Sequence, residues 1–294
     1  MVIQMSWNVK KEETIEVVDY ETRKKAIRLQ IKQRMTNDKE FLLLGIVGLP
    51  KTGKSGTAMD CRTEEEKKAG MKVLVLDLDD GCTATWNSAW RDENIEIYVP
   101  NVLKSDGSWD WEQTFHNCHA WLEYANELVS KGNVKAVILD GVDKVNEGSS
   151  DVLREALVKS NNKGQSIIHD IDSIKVQPLD WKIRNRVYNR ILNPFIALRA
   201  NRILITHLKP IYENINVPTP VGFEPDWHKS TPQRLLQILT VSKIKRGDKT
   251  LYRAVLDDCK TNPSLVGKSW NVFEVSKTEN KWLGIEEYKT GEFK

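Results

Sequence analysis

Residues 48–55 read Gly48-Leu49-Pro50-Lys51-Thr52-Gly53-Lys54-Ser55, a complete G-x-x-x-x-G-K-[ST] octet, directly after the apolar run Phe41–Val47 (FLLLGIV). Such an octet belongs at the turn from a buried strand into a helix. Its glycines let backbone N–H groups turn inward around an anion, and the helix behind it adds partial positive charge at its first turn. The nucleotide-binding segment is therefore Gly48, Leu49, Pro50, Lys51, Thr52, Gly53, Lys54, Ser55 and Gly56. In this pattern Lys54 reaches the β- and γ-phosphates, and Ser55 places its hydroxyl on Mg2+.

The rest of the chain repeats the strand-then-helix rhythm. Met71–Asp77 (MKVLVLD), Ile95–Val99 (IEIYV), Val134–Asp140 (VKAVILD) and Asn201–Thr206 (NRILIT) are apolar runs of strand length. Helical stretches lie between them: a polar one from the octet to about Ala69, Trp109–Lys131, and Asp180–Ala200 with a kink expected at Pro194. Continuously apolar strands alternating with helices predict a mostly parallel sheet covered on both faces. Leu239–Lys245 and Thr250–Leu256 flank the turn Arg246-Gly247-Asp248-Lys249, which reads as an antiparallel hairpin at the sheet edge. Before the first strand, Glu21–Met35 reads as a helix with Ile27, Ile31 and Met35 along one face, either packed on the core or docking on a neighbouring subunit. The segments Asn146–Pro178 and Ile211–Gln233 read as long irregular loops at strand ends. The expected division is a charged arm over 1–40, an α/β core over 41–260 and an extension over 261–294.

Composition removes several alternatives. With 44 Lys and Arg against 41 Asp and Glu, the net charge of +3 is too small to hold nucleic acid by bulk charge, so any such contact needs a local basic surface. No apolar stretch approaches the roughly 20 residues that span a bilayer, and no apolar signal core follows the N-terminus. The scattered cysteines, Cys61, Cys82, Cys118 and Cys259, form no CxxC pair and fit a reducing cytoplasm. His116 and His119 share one helical turn, but no second ligand pair adjoins them for a metal.

Nucleotide chemistry needs acids, and strand ends supply them. Asp140 closes VKAVILD as the carboxylate that orders the Mg2+ shell, with Asp143 just beyond it. Asp77, Asp79 and Asp80 cluster at the end of the second strand, and Asp79 is the candidate base for the attacking water, with Asp80 next. Thr206-His207 ends NRILIT, where His207 could sense the γ-phosphate.

With these residues in order, the chain resembles the RecA-like P-loop ATPases. It is most similar to a phage-encoded branch with a minimal RecA/RadA-type core, associated with single-strand annealing and recombination. The resemblance rests on GLPKTGKS (48–55), LVLDLDDG (74–81), AVILDGVD (136–143), PLDWKIRNR (178–186) and RILITHLKP (202–210), and with the hairpin covers 41–260. It implies ATP and Mg2+ as cofactors, hydrolysis stimulated by DNA, assembly into a ring or filament, and action on single-stranded DNA in the host cytoplasm. Lys54 and Ser55 take the phosphate-loop roles, Asp140 the Mg2+ role and His207 the sensor position. Asp79 stands where the family commonly has a longer glutamate, a departure that bears on turnover. Lys260, in DDCKTNP, is the candidate to complete a neighbouring subunit's site, although Asn262 replaces the usual follow-on arginine. Two alternatives stay open: a nucleotide-gated binding module with little turnover, and a P-loop small-molecule kinase.

Candidate DNA contacts are Lys243, Lys245, Arg246, Lys249, Arg253, Lys260 and Lys268 around the hairpin, and Lys182, Arg184, Arg186 and Arg190 with Tyr188 between them. Lys159, Lys163 and Lys175 lie in the first long loop. Basic residues interleaved with aromatics suit a surface that tracks phosphates and stacks bases. The chain carries 10 Trp against 6 Phe, mostly expected as core or interface anchors. Trp227 is the exception, placed after His207 to stack on a base or a neighbouring subunit.

Overall fold

A computed structural model describes residues 20–36, 41–161, 176–178, 180–213, 219–277 and 279–293. The chain divides into two units, residues 1–40 and 41–294. In the first, α1 (Tyr20–Thr36) is a charged helix on which Ile27 and Leu29 are exposed; the side chains of Ile31 and Met35 lie outside the described residues.

The second unit is organised around β1 (Leu43–Gly48), whose uninterrupted apolar sequence follows from burial on both faces. Leu43 and Val47 pack into one core while Leu42, Leu44 and Ile46 pack into the other. After β1 come α2 (Lys54–Met59), α3 (Glu64–Lys68), β2 (Lys72–Asp77), α4 (Cys82–Ala89), β3 (Ile95–Tyr98), α5 (Trp111–Ser130), β4 (Val134–Asp140) and α6 (Val142–Asn161). Then follow α7 (Trp181–Ala197), β5 (Asn201–Ile211), β6 (Gly222–Pro225), α8 (Thr231–Arg234), β7 (Gln237–Arg246), β8 (Lys249–Cys259), β9 (Ser269–Val275), β10 (Asn280–Trp282) and α9 (Glu286–Thr290). The sheet is ten-stranded in the order β10-β9-β8-β7-β1-β5-β4-β2-β3, with β6 paired to β5. From β7 to β3 the neighbours are parallel, and β8, β9 and β10 extend the sheet antiparallel beyond β7. This is the expected α/β class, with the expected C-terminal hairpin.

The same alternation divides every central strand. Leu74, Leu76, Val137, Leu139 and Leu204 face the core beneath α5, α6 and α7, which also holds Trp111, Phe115, Tyr188 and Phe195. Val73, Val75, Ala136, Ile138, Ile203 and Ile205 face the core that contains Met59, Cys82, Tyr288 and Phe293.

Four expectations change. The polar stretch to Ala69 is two helices, because Thr63 and Glu66 form a capping box that starts α3 afresh. Residues 146–161, read as loop, belong to α6, and the Trp111 ring lies against that helix at Gly148. The segment after Ile211 is not wholly irregular either, since it holds β6 and α8; residues 162–175 and 214–218 lie outside the described residues. Residues 261–294 are no separate extension: β9 and β10 continue the sheet, and Ile285, Tyr288 and Phe293 are core side chains. Among the described residues, no helix is long and apolar enough to cross a membrane.

Candidate nucleotide site

Parallel register brings the chemistry to one edge. Gly48 pairs with His207, Asp140 with Ile205, and Asp77 with Asp140, so β1, β4 and β2 end side by side against residues 205–207 of β5, which itself runs on to Ile211. Only β5 separates the phosphate-loop strand from the strand carrying Asp140. The loops leaving these ends enclose a cavity of ≈ 390 Å³ lined by Pro50 to Gly56, Asp79, Gly81, Asp140 and His207.

The octet folds as its composition requires. Gly53 sits at φ 89°, the left-handed region that favours glycine, immediately before α2. Thr52 Oγ1 donates to Leu49 O at 2.8 Å, and Lys54 Nζ donates to the same carbonyl at 3.0 Å. Lys54 is buried, and burial pushes its ammonium below the usual lysine range against the opposing pull of Asp140, Asp79 and Asp143. A buried ammonium with donors to spare fits an anion such as a phosphate. Ser55 Oγ donates to Asp140 Oδ2 at 2.5 Å, and burial raises the Asp140 pKa. A hydroxyl and a buried carboxylate in contact are a donor set suited to Mg2+, which takes oxygen ligands and keeps several waters. Ser55 and Asp140 are the residues that would hold it.

A second cluster lies beside the first. His207 Nδ1 is 3.1 Å from Asp143 Oδ2 and 3.4 Å from Asp79 Oδ2. Burial raises Asp79 to about 6, and the nearby charges of Asp143 and Asp140 add to that shift. Burial pushes Asp143 up, but the hydrogen bond and charge of His207, a backbone hydrogen bond and Lys144 together hold this carboxyl low. The bond to Asp143 raises His207. Thr206 Oγ1 donates to Asp226 O at 2.7 Å and ties down the part of β5 that carries the histidine. Asp80 is exposed, with φ 54°, and does not line the cavity.

No protein-family model matches the sequence, and no curated protein matches it. Two solved structures are similar. One is the RadB recombinase, at 12% identity over 82% of this chain and 90% of that one, with a TM-score of 0.42. The other is a KaiC-like protein from the hyperthermophilic archaeon Pyrococcus horikoshii, at 12% identity over 81% and 88%, with a TM-score of 0.44. At 12% identity neither carries a residue role to this chain.

Other expected positions fall elsewhere. Lys260 donates to Leu235 O, at the end of β7 opposite the phosphate loop, because Gln237 pairs with both Leu44 and Cys259. Trp227 is not a stacking surface: it is buried, with its ring against Gly45 of β1. Tyr188 is equally buried and bonded to Thr231, which removes it from any base-stacking face. Arg184 is turned inward onto Asn146 and Ser150, with its guanidinium over the Trp181 ring. Lys249 and Lys268 are paired with Glu274 and Glu287. Lys163 and Lys175 lie outside the described residues. His116 and His119 line a separate cavity of ≈ 270 Å³ together with Arg190.

Two features escaped the sequence. Cys82 Sγ donates to Asp140 Oδ2 at 3.1 Å, and its backbone N–H donates to Asp77 Oδ2 at 2.8 Å. The C-terminal strands also roof the phosphate-loop helix: Tyr252 lies against Gly53, and a Cβ on Gly56 would meet the Trp282 ring at 2.1 Å. Trp282 stacks on Phe273 at 4.5 Å and packs on Trp90 at 4.8 Å. Only the aromatic richness of 270–282 hinted at this.

Proposed function

We propose that the chain is a RecA-like ATPase that binds ATP·Mg2+ in the cavity between the phosphate loop and Asp140, and that acts on single-stranded DNA as a self-associated assembly. The observation that carries this reading is the convergence of Lys54, Ser55, Asp79, Asp140 and His207 on one cavity. Inward-turned loop amides and the buried Lys54 ammonium grip the phosphates. Bound at Ser55 and Asp140, Mg2+ supplies charge neutralisation at the transferred phosphoryl group. Asp79 accepts a proton from the attacking water, and an acid held at about 6 is ionised yet basic enough for that role near neutral pH. His207, in contact with Asp79 and Asp143 within β5, passes the state of the γ-phosphate along that strand toward β6.

DNA contact rests on the basic hairpin, where Lys243, Lys245, Arg246 and Arg253 remain after Lys249 is paired with Glu274. Lys260, remote from this chain's own cavity, would serve a neighbouring copy. The test is ATP turnover with and without single-stranded DNA, alongside sizing with a non-hydrolysed ATP analogue. DNA-stimulated turnover and nucleotide-dependent assembly are expected. Turnover by Lys54→Ala at the wild-type rate would falsify the phosphate assignment. A second reading, a nucleotide-gated binding module, draws on the short reach of Asp79. It predicts tight ATP binding and negligible turnover even with DNA present.

A further inference from the structure

Asp77 is fully buried at the end of β2, and its two carboxylate oxygens have different surroundings. Oδ2 accepts the Cys82 N–H, whereas Oδ1 has no hydrogen-bond partner. An orphaned buried carboxylate oxygen is costly and points to something that binds there. One ligand atom each from Asp77, Cys82 and Asp140 lies within 4.8 Å of the others. Bonds of about 2.3 Å to sulfur and 2.0–2.2 Å to oxygen let one cation bridge such a trio after small side-chain adjustment. The thiolate decides which cation, because sulfur selects Zn2+-like ions over hard Mg2+. Of the trio, Asp140 lines the phosphate cavity, beside Ser55 and Gly81.

We propose that Asp77, Cys82 and Asp140 form a site for a thiophilic divalent cation of the Zn2+ and Cd2+ class, and that filling it competes with ATP·Mg2+ for Asp140. Binding exchanges the Cys82 S–H proton for the metal and releases that proton to solvent. The site itself stands on geometry alone; the competition rests on the nucleotide reading given above.

The test is a Cd2+ titration of the metal-free full-length protein without nucleotide, followed by the ultraviolet charge-transfer band of a Cd–thiolate bond. One equivalent per chain is expected, with the band lost in Cys82→Ser, which keeps the other three thiols. Asp77→Asn is expected to weaken Cd2+ by about tenfold or more. Absence of the band in the wild-type protein, or its persistence in Cys82→Ser, overturns the site. If Cys82→Ser does not fold, Asp77→Asn decides, since unchanged Cd2+ affinity also overturns it. ATP·Mg2+ binding without a Cd–thiolate band removes this site and leaves the phosphate site standing. A band in protein that binds no ATP does the reverse.

Discussion

Asp79 and Asp143 both approach Nδ1 of one imidazole, yet their pKa values move in opposite directions. Burial and two neighbouring anions raise Asp79 to about 6, while Asp143 keeps the closer hydrogen bond to His207 and stays ionised. If Asp79 is the base, turnover rises with pH through about 6 and is flat above it, which a pH–rate profile measures directly. Asp79→Asn is expected to lower turnover by about 100-fold or more. The same substitution should stabilise the protein. An acid that titrates higher when folded disfavours its own ionised form there, so its contribution to stability is lost as pH rises from about 4 toward 6. Asn has no such loss. At pH 7.5 a gain of roughly 1–3 kcal/mol is expected, since each pKa unit is worth about 1.4 kcal/mol, and it should vanish below about pH 4 in denaturant titrations. Lys54, Ser55 and Asp140 were readable because an octet and a strand-ending acid encode their geometry locally. The bond from His207 to Asp143 spans 64 residues and that from Cys82 to Asp140 spans 58, so no local pattern announces either.

Helix α6 shows why turn-forming residues mislead. Asn146–Pro178 reads as an irregular loop, yet Gly148, Ser149 and Ser150 are helical, and the two serine hydroxyls bond back to Val145 O and Asn146 O within the helix. Glycine is there for space, because an added Cβ would meet Trp111 Cε3 at 2.4 Å. In an exposed helix Gly→Ala stabilises by about 1 kcal/mol. Gly148→Ala is expected to destabilise instead, by about 1–3 kcal/mol in urea unfolding, through the overpacked contact. Strands β1, β2 and β4 were legible because burial on two faces leaves an apolar run that needs no tertiary information. Helix α6 and the roof strands were not, since their roles depend on partners distant in sequence. Trp227 makes the same point: a polar, turn-rich neighbourhood in sequence surrounds a side chain buried under β1.

At the scale of the molecule, the last residues finish the sheet and the second core. Val272, Ile285, Tyr288 and Phe293 are all at most 2% exposed, and burying such a side chain contributes roughly 1.5–3 kcal/mol each. Domain stabilities are only about 5–15 kcal/mol. Deletion of residues 269–294 should therefore abolish cooperative thermal unfolding by circular dichroism, whereas a fragment ending at 268 that melts cooperatively would mark those residues as an appendage. The position of β1 has a different consequence, one of time. Leu42 N–H is held by Asn201 and Leu43 N–H by Gln237, partners 159 and 194 residues further on. At about 5–20 residues per second of synthesis, the wait for the first partner is roughly 8–30 s. Throughout it the most apolar segment of the chain leaves the ribosome with neither of its neighbouring strands yet made. The nascent phosphate loop therefore acquires its strand support late, and a chaperone that shields Leu42–Val47 during that interval would govern how much of each synthesised batch reaches the native sheet.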